Sequence, residues 1–425
     1  MAHSKNEGFA RQNETMTSRN ELPLIPPDQL TQELLRAWSW HRQGLDGSLA
    51  EVDAAEVLDR VGWARSVGGS NTYLTLFARA GIRREKVDRV VARQEIHELP
   101  SARGCTYVLP AKEFAWGLQL GRNAAETEVK VLGRLGVERS EIEALAEKVL
   151  ETLRQAGAEA SMDPRQLREV LGGAVRTMGE EGKKKGSSTT LPAALGLLQA
   201  DGRIRRVPVN GRLDQQRYSY TLWDLPSTGA NDEELRARMV QRFLGWTGGA
   251  TLGQLRWFTA FTVAQSKAAL SAVGATPMNT AAGEELWMMP QDLSKLAKFV
   301  IPAEEDIQLL AGSDSLVLLR RNSADLFDEV GRGAVTGMSG SALAADLSDH
   351  PILDRGRIIG LWQYDPENAR IAWWTFAPVT PAVKEKIALV EAWIAEDLGD
   401  FRSFSLDSPK SRAKNIAVLD ERRNA

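Results

Sequence analysis

One cysteine, four histidines and no long apolar run set the first limits on this 425-residue chain. Cys105 alone can form no internal disulfide and no cysteine-based metal site, so cytoplasm is the expected compartment. His3, His41, His97 and His350 lie far apart without ligand spacing, which argues against a catalytic zinc; neither a metal nor any other cofactor is expected. No apolar stretch approaches a bilayer's thickness, and residues 1–20 are polar, rich in Ser, Asn and Thr and expected to be disordered. A membrane span and a signal peptide are therefore not expected. The chain also lacks a basic excess, since 53 Lys and Arg stand against 56 Asp and Glu. What charge asymmetry exists is local.

What is present is a unit that recurs three times: helices joined by short turns, then an alternating, extended stretch. In the first copy the apolar spacing predicts helices over 32–44, 56–63 and 71–81 and a hairpin over 95–110. The second predicts helices over 141–156, 163–171 and 191–200, with a hairpin over 203–223 in which Arg217-Tyr218-Ser219-Tyr220-Thr221-Leu222-Trp223 alternates like a strand. The third predicts helices over 233–244, 251–258 and 262–273 and a strand over 284–289. Helix-turn-helix followed by a hairpin is the winged-helix pattern, and its repetition is a sequence-readable architecture. The fold class is α+β. A disordered tail over 1–20 precedes a first winged-helix unit with a bridging helix (21–135), a second (136–228) and a third (229–300). A small β-rich C-terminal domain (301–398) and a tail (399–425) complete the chain. In detail, a helix over 111–135 bridges the first two units. Beyond 301, β-type runs over 306–320, 357–363 and 370–376 precede a closing helix over 381–398 capped by Thr380. Residues 411–425 read as a fraying, charged end.

Winged helices mostly hold nucleic acid, and the cations fall where such a role would use them. Lys183, Lys184 and Lys185 precede the second unit's candidate recognition helix, and Arg203, Arg205, Arg206, Arg212 and Arg217 load its wing against Asp214 alone. Acidic residues gather instead over 141–151 and 304–306. A local patch can neutralise phosphates on a chain that is slightly acidic overall. The expected partner is double-stranded DNA and the expected state a monomer. The plain alternative is that these side chains form a solvated face.

Several segments carry a resemblance. Arg103-Gly104-Cys105-Thr106-Tyr107-Val108-Leu109-Pro110-Ala111-Lys112-Glu113 resembles the Arg-Gly-Thr-Leu-His-Leu-Val-Pro-Ala-Glu-Asp segment of the AlkZ-like (YcaQ-type) winged-helix DNA glycosylases. Met239-Val240-Gln241-Arg242-Phe243-Leu244 with 251–258 is similar to that family's third-unit opening. Leu309-Leu310-Ala311-Gly312-Ser313-Asp314-Ser315-Leu316 resembles its Leu-Leu-Pro-x-x-Asp-x-Leu, and Arg355-Gly356-Arg357-Ile358-Ile359-Gly360-Leu361-Trp362 its Asp-Gly-x-Val-Val-Gly-x-Trp. The resemblance implies three winged helices curled round a duplex, a C-terminal β-rich domain, and hydrolysis of the N-glycosidic bond of alkylated or crosslinked purines.

The family's catalytic signature, Gln-x-Gln or Gln-x-Asp, falls between the second and third helices of the first unit. Here that stretch reads Gly62-Trp63-Ala64-Arg65-Ser66-Val67-Gly68-Gly69-Ser70-Asn71-Thr72-Tyr73. One register puts Ala64 and Ser66 on the two signature positions and the other puts Arg65 and Val67 there. Neither supplies an amide or a carboxylate, and Tyr107 replaces the hairpin histidine. The candidates left for orienting water are Asn71 and Glu98, with Tyr107 supplying the histidine's hydrogen bonds. Arg65 and Arg103 would hold phosphate. The rival reading on the same scaffold is a non-enzymatic DNA-binding protein, a regulator or damage-binding factor; a protein-binding repeat array is a third.

Overall fold

The computed structural model describes residues 25–321, 323–339, 347, 349–404 and 407–424, excluding the side chains of 336–339. The expected disorder of residues 1–20 lies outside that range.

The first unit contains α1 (Gln32–Arg42), α2 (Ala54–Val61), a short strand β1 (Ala64–Arg65), α3 (Ser70–Ala80) and α4 (Arg84–Ala92). A hairpin of β2 (Ile96–Pro100) and β3 (Thr106–Pro110) follows, and β1 adds to its free edge, Arg65 lying opposite Tyr107. Asp53 and Thr31 start α2 and α1 by accepting backbone N–H groups that the first turn leaves unpaired. The bridging stretch is not one helix but two, α5 (Phe114–Leu120) and α6 (Glu126–Gly133). The chain breaks at Gly121 because its backbone lies against the Pro100 carbonyl, where a Cβ would come within 2.4 Å of that oxygen. α4 escaped the sequence reading because only Val87, Val90 and Val91 face inward from an otherwise charged segment.

In the second unit α7 (Arg139–Ala156), α8 (Pro164–Leu171), α9 (Gly179–Lys184) and α10 (Leu191–Ala200) precede the hairpin β4 (Ile204–Pro208) and β5 (Tyr218–Leu222). The third has α11 (Asp232–Thr247), α12 (Leu252–Thr259), α13 (Val263–Ala272) and the hairpin β6 (Thr276–Asn279) and β7 (Glu285–Met288). Capping boxes at Asn231, Thr251 and Thr262 fix the starts of its three helices.

After α14 (Pro290–Leu296) the chain forms β8 (Ile307–Leu309), α15 (Ser315–Leu318), α16 (Glu329–Ser339), β9 (His350–Asp354), β10 (Arg357–Asp365), β11 (Arg370–Thr375), α17 (Pro381–Trp393) and α18 (Pro409–Asn424). The four strands make one antiparallel sheet in the order β8-β9-β10-β11. Two expectations fail here. The β-run over 306–320 is strand only at 307–309, because the Asp314 side chain accepts the Leu316 N–H and turns the chain into a helix. The fraying end is instead α18, which lays Ile416 and Leu419 against Leu361 and Ala372 of the sheet and pairs Asp420 with Arg370. Thr380 does cap α17, as its sequence position suggested.

Apolar packing merges segments distant in sequence. One core joins α2, α3 and α4 to the C-terminal sheet and α17; another joins the first hairpin and the segments flanking it, through Tyr107, Trp63 and Trp116, to α11, α12 and α13. The second unit buries a core of its own, built on α7 and α10. Among the described residues no helix is long and apolar enough to cross a membrane.

Candidate functional site

Strand alternation decides how the loop after α2 is displayed. With Ala64 and Arg65 paired to β3, Ala64 and Ser66 point into the protein and are buried, while Arg65 and Val67 line a cavity. The two glycines that follow allow a close approach from both sides. At Gly68, φ is +84° and a Cβ would lie 2.6 Å from the Arg402 carbonyl oxygen; at Gly69, φ is +79° and a Cβ would lie 2.3 Å from the Leu213 carbonyl oxygen. The loop is therefore clasped between the second unit's hairpin and the C-terminal segment.

The cavity it borders has a volume of about 610 Å³, and its walls come from the first hairpin, from Trp257 of α12, and from the C-terminal sheet with α18. At its exposed side Arg103 lies over the Trp257 ring, 4.4 Å from the centroid, and Arg65 lies over Tyr107 at 5.3 Å. Burial opposes the Arg65 charge, but Cys105 and Tyr107 more than offset it and raise its pKa. Tyr107 is almost wholly enclosed, and burial pushes its phenol up to about 12, so it is a neutral donor and acceptor.

The deep side is polar. Asp349 Oδ1 accepts from both Gln363 Nε2 and Asn415 Nδ2, each at 2.9 Å. His350 Nδ1 accepts the Gly312 N–H at 3.0 Å, and its Nε2 lies 3.1 Å from Ser403 Oγ. Because Nδ1 is an acceptor, the neutral ring carries its proton on Nε2 and donates it to Ser403. Burial, then the nearby Arg412 charge, holds the His350 pKa down at about 3. With its Nδ1 occupied by the Gly312 N–H and its Nε2 proton directed at Ser403, His350 is placed as a donor to that hydroxyl and not as its base. Arg412 is itself balanced by Asp400 at 2.7 Å and Asp407 at 3.3 Å.

A family described as DNA glycosylase AlkZ-like matches residues 58–404. The chain belongs to the AlkZ-like DNA glycosylase family. Among solved structures, that of the Streptomyces sahachiroi DNA glycosylase AlkZ shares the fold with a TM-score of 0.63 at 21% identity, covering 87% of this chain and 97% of that chain. No curated protein matches the chain.

Within this AlkZ-like chain, the residues picked from sequence divide sharply. Arg65, Arg103 and Tyr107 meet at the cavity. Asn71 does not: its amide donates to the Arg65 carbonyl at 2.9 Å from inside α3, which Gly69 precedes without a side-chain cap. Glu98 faces the second unit, its oxygens taken by Arg206 Nη1 at 2.9 Å and the Tyr218 hydroxyl at 2.6 Å.

The cations of the second unit are largely spoken for. Lys183 pairs with Glu180, Lys185 with Glu181, Arg203 with Glu147, and Arg212 with Asp214. Arg205 is half-buried, which lowers its pKa, and Arg217 is exposed beside a cleft that also holds Arg212 and Arg402. Lys184 is exposed, and among the described residues neither it, Arg205 nor Arg217 has an ion-pair partner. Among these residues no group of three His, Cys, Asp or Glu side chains is placed to hold a metal.

The deep residues Asp349, Gln363, Asn415 and Ser403 were missed from sequence. Asn415 carried one readable sign, since Arg412, Ile416 and Leu419 sit at helical spacing on a segment otherwise rich in charge.

Proposed function

We propose that this chain binds duplex DNA through three winged-helix units and hydrolyses the N-glycosidic bond of alkylated purines without a metal. The supporting observation is the cavity at the first hairpin, where two arginines and two aromatic rings stand over a buried polar floor. A cationic N7- or N3-alkylpurine leaves readily, so the demand on the protein is to place water and to stabilise an oxocarbenium-like sugar. The C1′–N bond breaks with its electron pair passing to the base, water oxygen bonds to C1′, and a proton is released. Of the cavity's carboxylates, Asp407 is paired with Arg412, and Asp349, which accepts from Gln363 and Asn415, would oppose the developing cation. Arg65 and Arg103 suit the flanking phosphates, and Tyr107 the hydrogen bonds of the absent hairpin histidine. No lysine lies at the signature position, so release is monofunctional rather than through a Schiff base.

One observation favours the non-enzymatic reading: the alternate positions of β1 and the loop after it that face the cavity are Arg65 and Val67, neither able to orient water toward a cationic sugar. Incubation with N7-methylguanine duplex in the presence of a chelator separates the two. The expected result is free base and an intact abasic strand. No release from the alkylated duplex establishes the binding-only reading, and loss of release on chelation contradicts metal independence.

A further inference from the structure

The deep wall of the cavity contains a polar atom that the protein itself does not use. Gln363 is 2% exposed and lines the cavity, yet among the described residues its Oε1 has no hydrogen-bond partner. Its orientation is not arbitrary. Asp349 is a carboxylate and can only accept, so Nε2 must be the atom turned toward it at 2.9 Å, and Oε1 must point away. Asn415 donates to the same carboxylate oxygen and so braces it from α18. A buried carbonyl oxygen left without a donor costs free energy unless something supplies one. Nearby, Ser403 receives the His350 proton on its oxygen, which leaves the Ser403 hydroxyl hydrogen to donate elsewhere. The floor thus offers an acceptor and a donor, each held by a buried neighbour.

At the open side the chemistry differs. Arg103 is exposed and Arg65 half-buried, each lying over an aromatic ring, an arrangement suited to a phosphate beside a stacked ring. The volume of about 610 Å³ falls within the range of small-ligand sites and exceeds what a single base needs. We infer that this cavity is a nucleotide subsite in which a base presents an N–H to Gln363 Oε1 while its phosphate rests on Arg65 and Arg103. The inference rests on the DNA-glycosylase reading for its source of nucleotide, a base drawn out of a strand, but the same chemistry would hold a free mononucleotide. Gln363 is then a residue that reads the base, and Asp349 and Asn415 are positioning residues that fix its amide.

Titration of the full chain with 7-methylguanosine 5′-monophosphate tests the subsite independently of DNA. Gln363→Leu should weaken binding about tenfold, the worth of one buried hydrogen bond, for nucleotide and nucleoside alike. Arg103→Gln, at the exposed edge, should weaken the nucleotide and leave the nucleoside unchanged. Should Gln363→Leu fail to fold, Gln363→Asn withdraws the same amide by one methylene and takes its place. In a second arm, Gln363→Leu should lose the parent's preference for N7-methylguanine duplex over undamaged duplex without changing affinity for the latter. No binding of the mononucleotide by the parent, or equal binding by the Gln363 variant, overturns the subsite. Mononucleotide binding with no duplex binding keeps the subsite, assigns it to free nucleotides and overturns the DNA reading instead.

Discussion

Removing the Asp314 carboxylate should destabilise the protein more than any surface charge change. Arg79 and Asp314 are 0% and 1% exposed and meet through two parallel bonds, Nη2–Oδ1 at 2.8 Å and Nη1–Oδ2 at 2.9 Å. The remaining Arg79 donors go to the Gln43 carbonyl, the Gln43 side chain and the Thr75 carbonyl, so the guanidinium is fully satisfied. Asp314 also accepts from Thr75 Oγ1 and from the Leu316 N–H that starts α15. Asp314→Ala leaves a buried cation without its counterion, a loss of about 3–5 kcal/mol, and removes a helix cap worth about 1 kcal/mol.

Against a total stability of about 5–15 kcal/mol, that is a large share. With a urea dependence of about 3 kcal/mol per molar, the unfolding midpoint should fall by more than about 1 M. The transition affected should be that of the core shared by α3 and the C-terminal sheet, not the separate core of the second unit. Arg79→Met combined with Asp314→Leu should recover much of the loss, since the desolvation of both charges disappears together. Circular dichroism through a urea series reads both. A midpoint shift below about 0.3 M for Asp314→Ala, or a double variant as unstable as the single, would refute the reasoning.

Acid should weaken the fold below neutrality through His97 and His350, each held near pKa 3 by burial and by neighbouring arginines, against an ordinary value of 6.5. The unfolded chain binds these protons first, so their contribution is complete above pH 6.5 and is lost as pH falls toward 3. At pH 5 this amounts to about 2 kcal/mol per histidine; urea midpoints at pH 7.5 and 5 measure it, and His97→Phe should remove about half of the histidine-dependent part. If DNA is bound through the second unit, Lys184, Arg205 and Arg217 should each contribute nearly one unit (about 0.9) to the log–log salt slope. Arg203, held by Glu147 at 2.5 Å, should contribute less, and equal flattening by Arg203→Ala and Arg217→Ala would show that internal pairing does not decide availability.

Local pattern determined much of this molecule by itself. Most helices of the three units, α4 and α9 excepted, the hairpins after the first two and the Thr380 cap follow from apolar spacing, alternation and capping chemistry, which act over a few residues. The ordered motifs likewise identified the family that matches residues 58–404. Sequence could not choose which of 64 and 66 or 65 and 67 faces the cavity, because strand direction is set by pairing with β3, forty residues away. Nor could it tell Glu98, a structural counterion to Arg206, from a free carboxylate, or show that most of the basic patch already has acidic partners. The deep wall of the cavity was beyond reach for the same reason. Asp349, Gln363 and Asn415 come from β9's approach, β10 and α18, and only their tertiary packing brings two amides onto one carboxylate oxygen, leaving Gln363 Oε1 without a partner among the described residues.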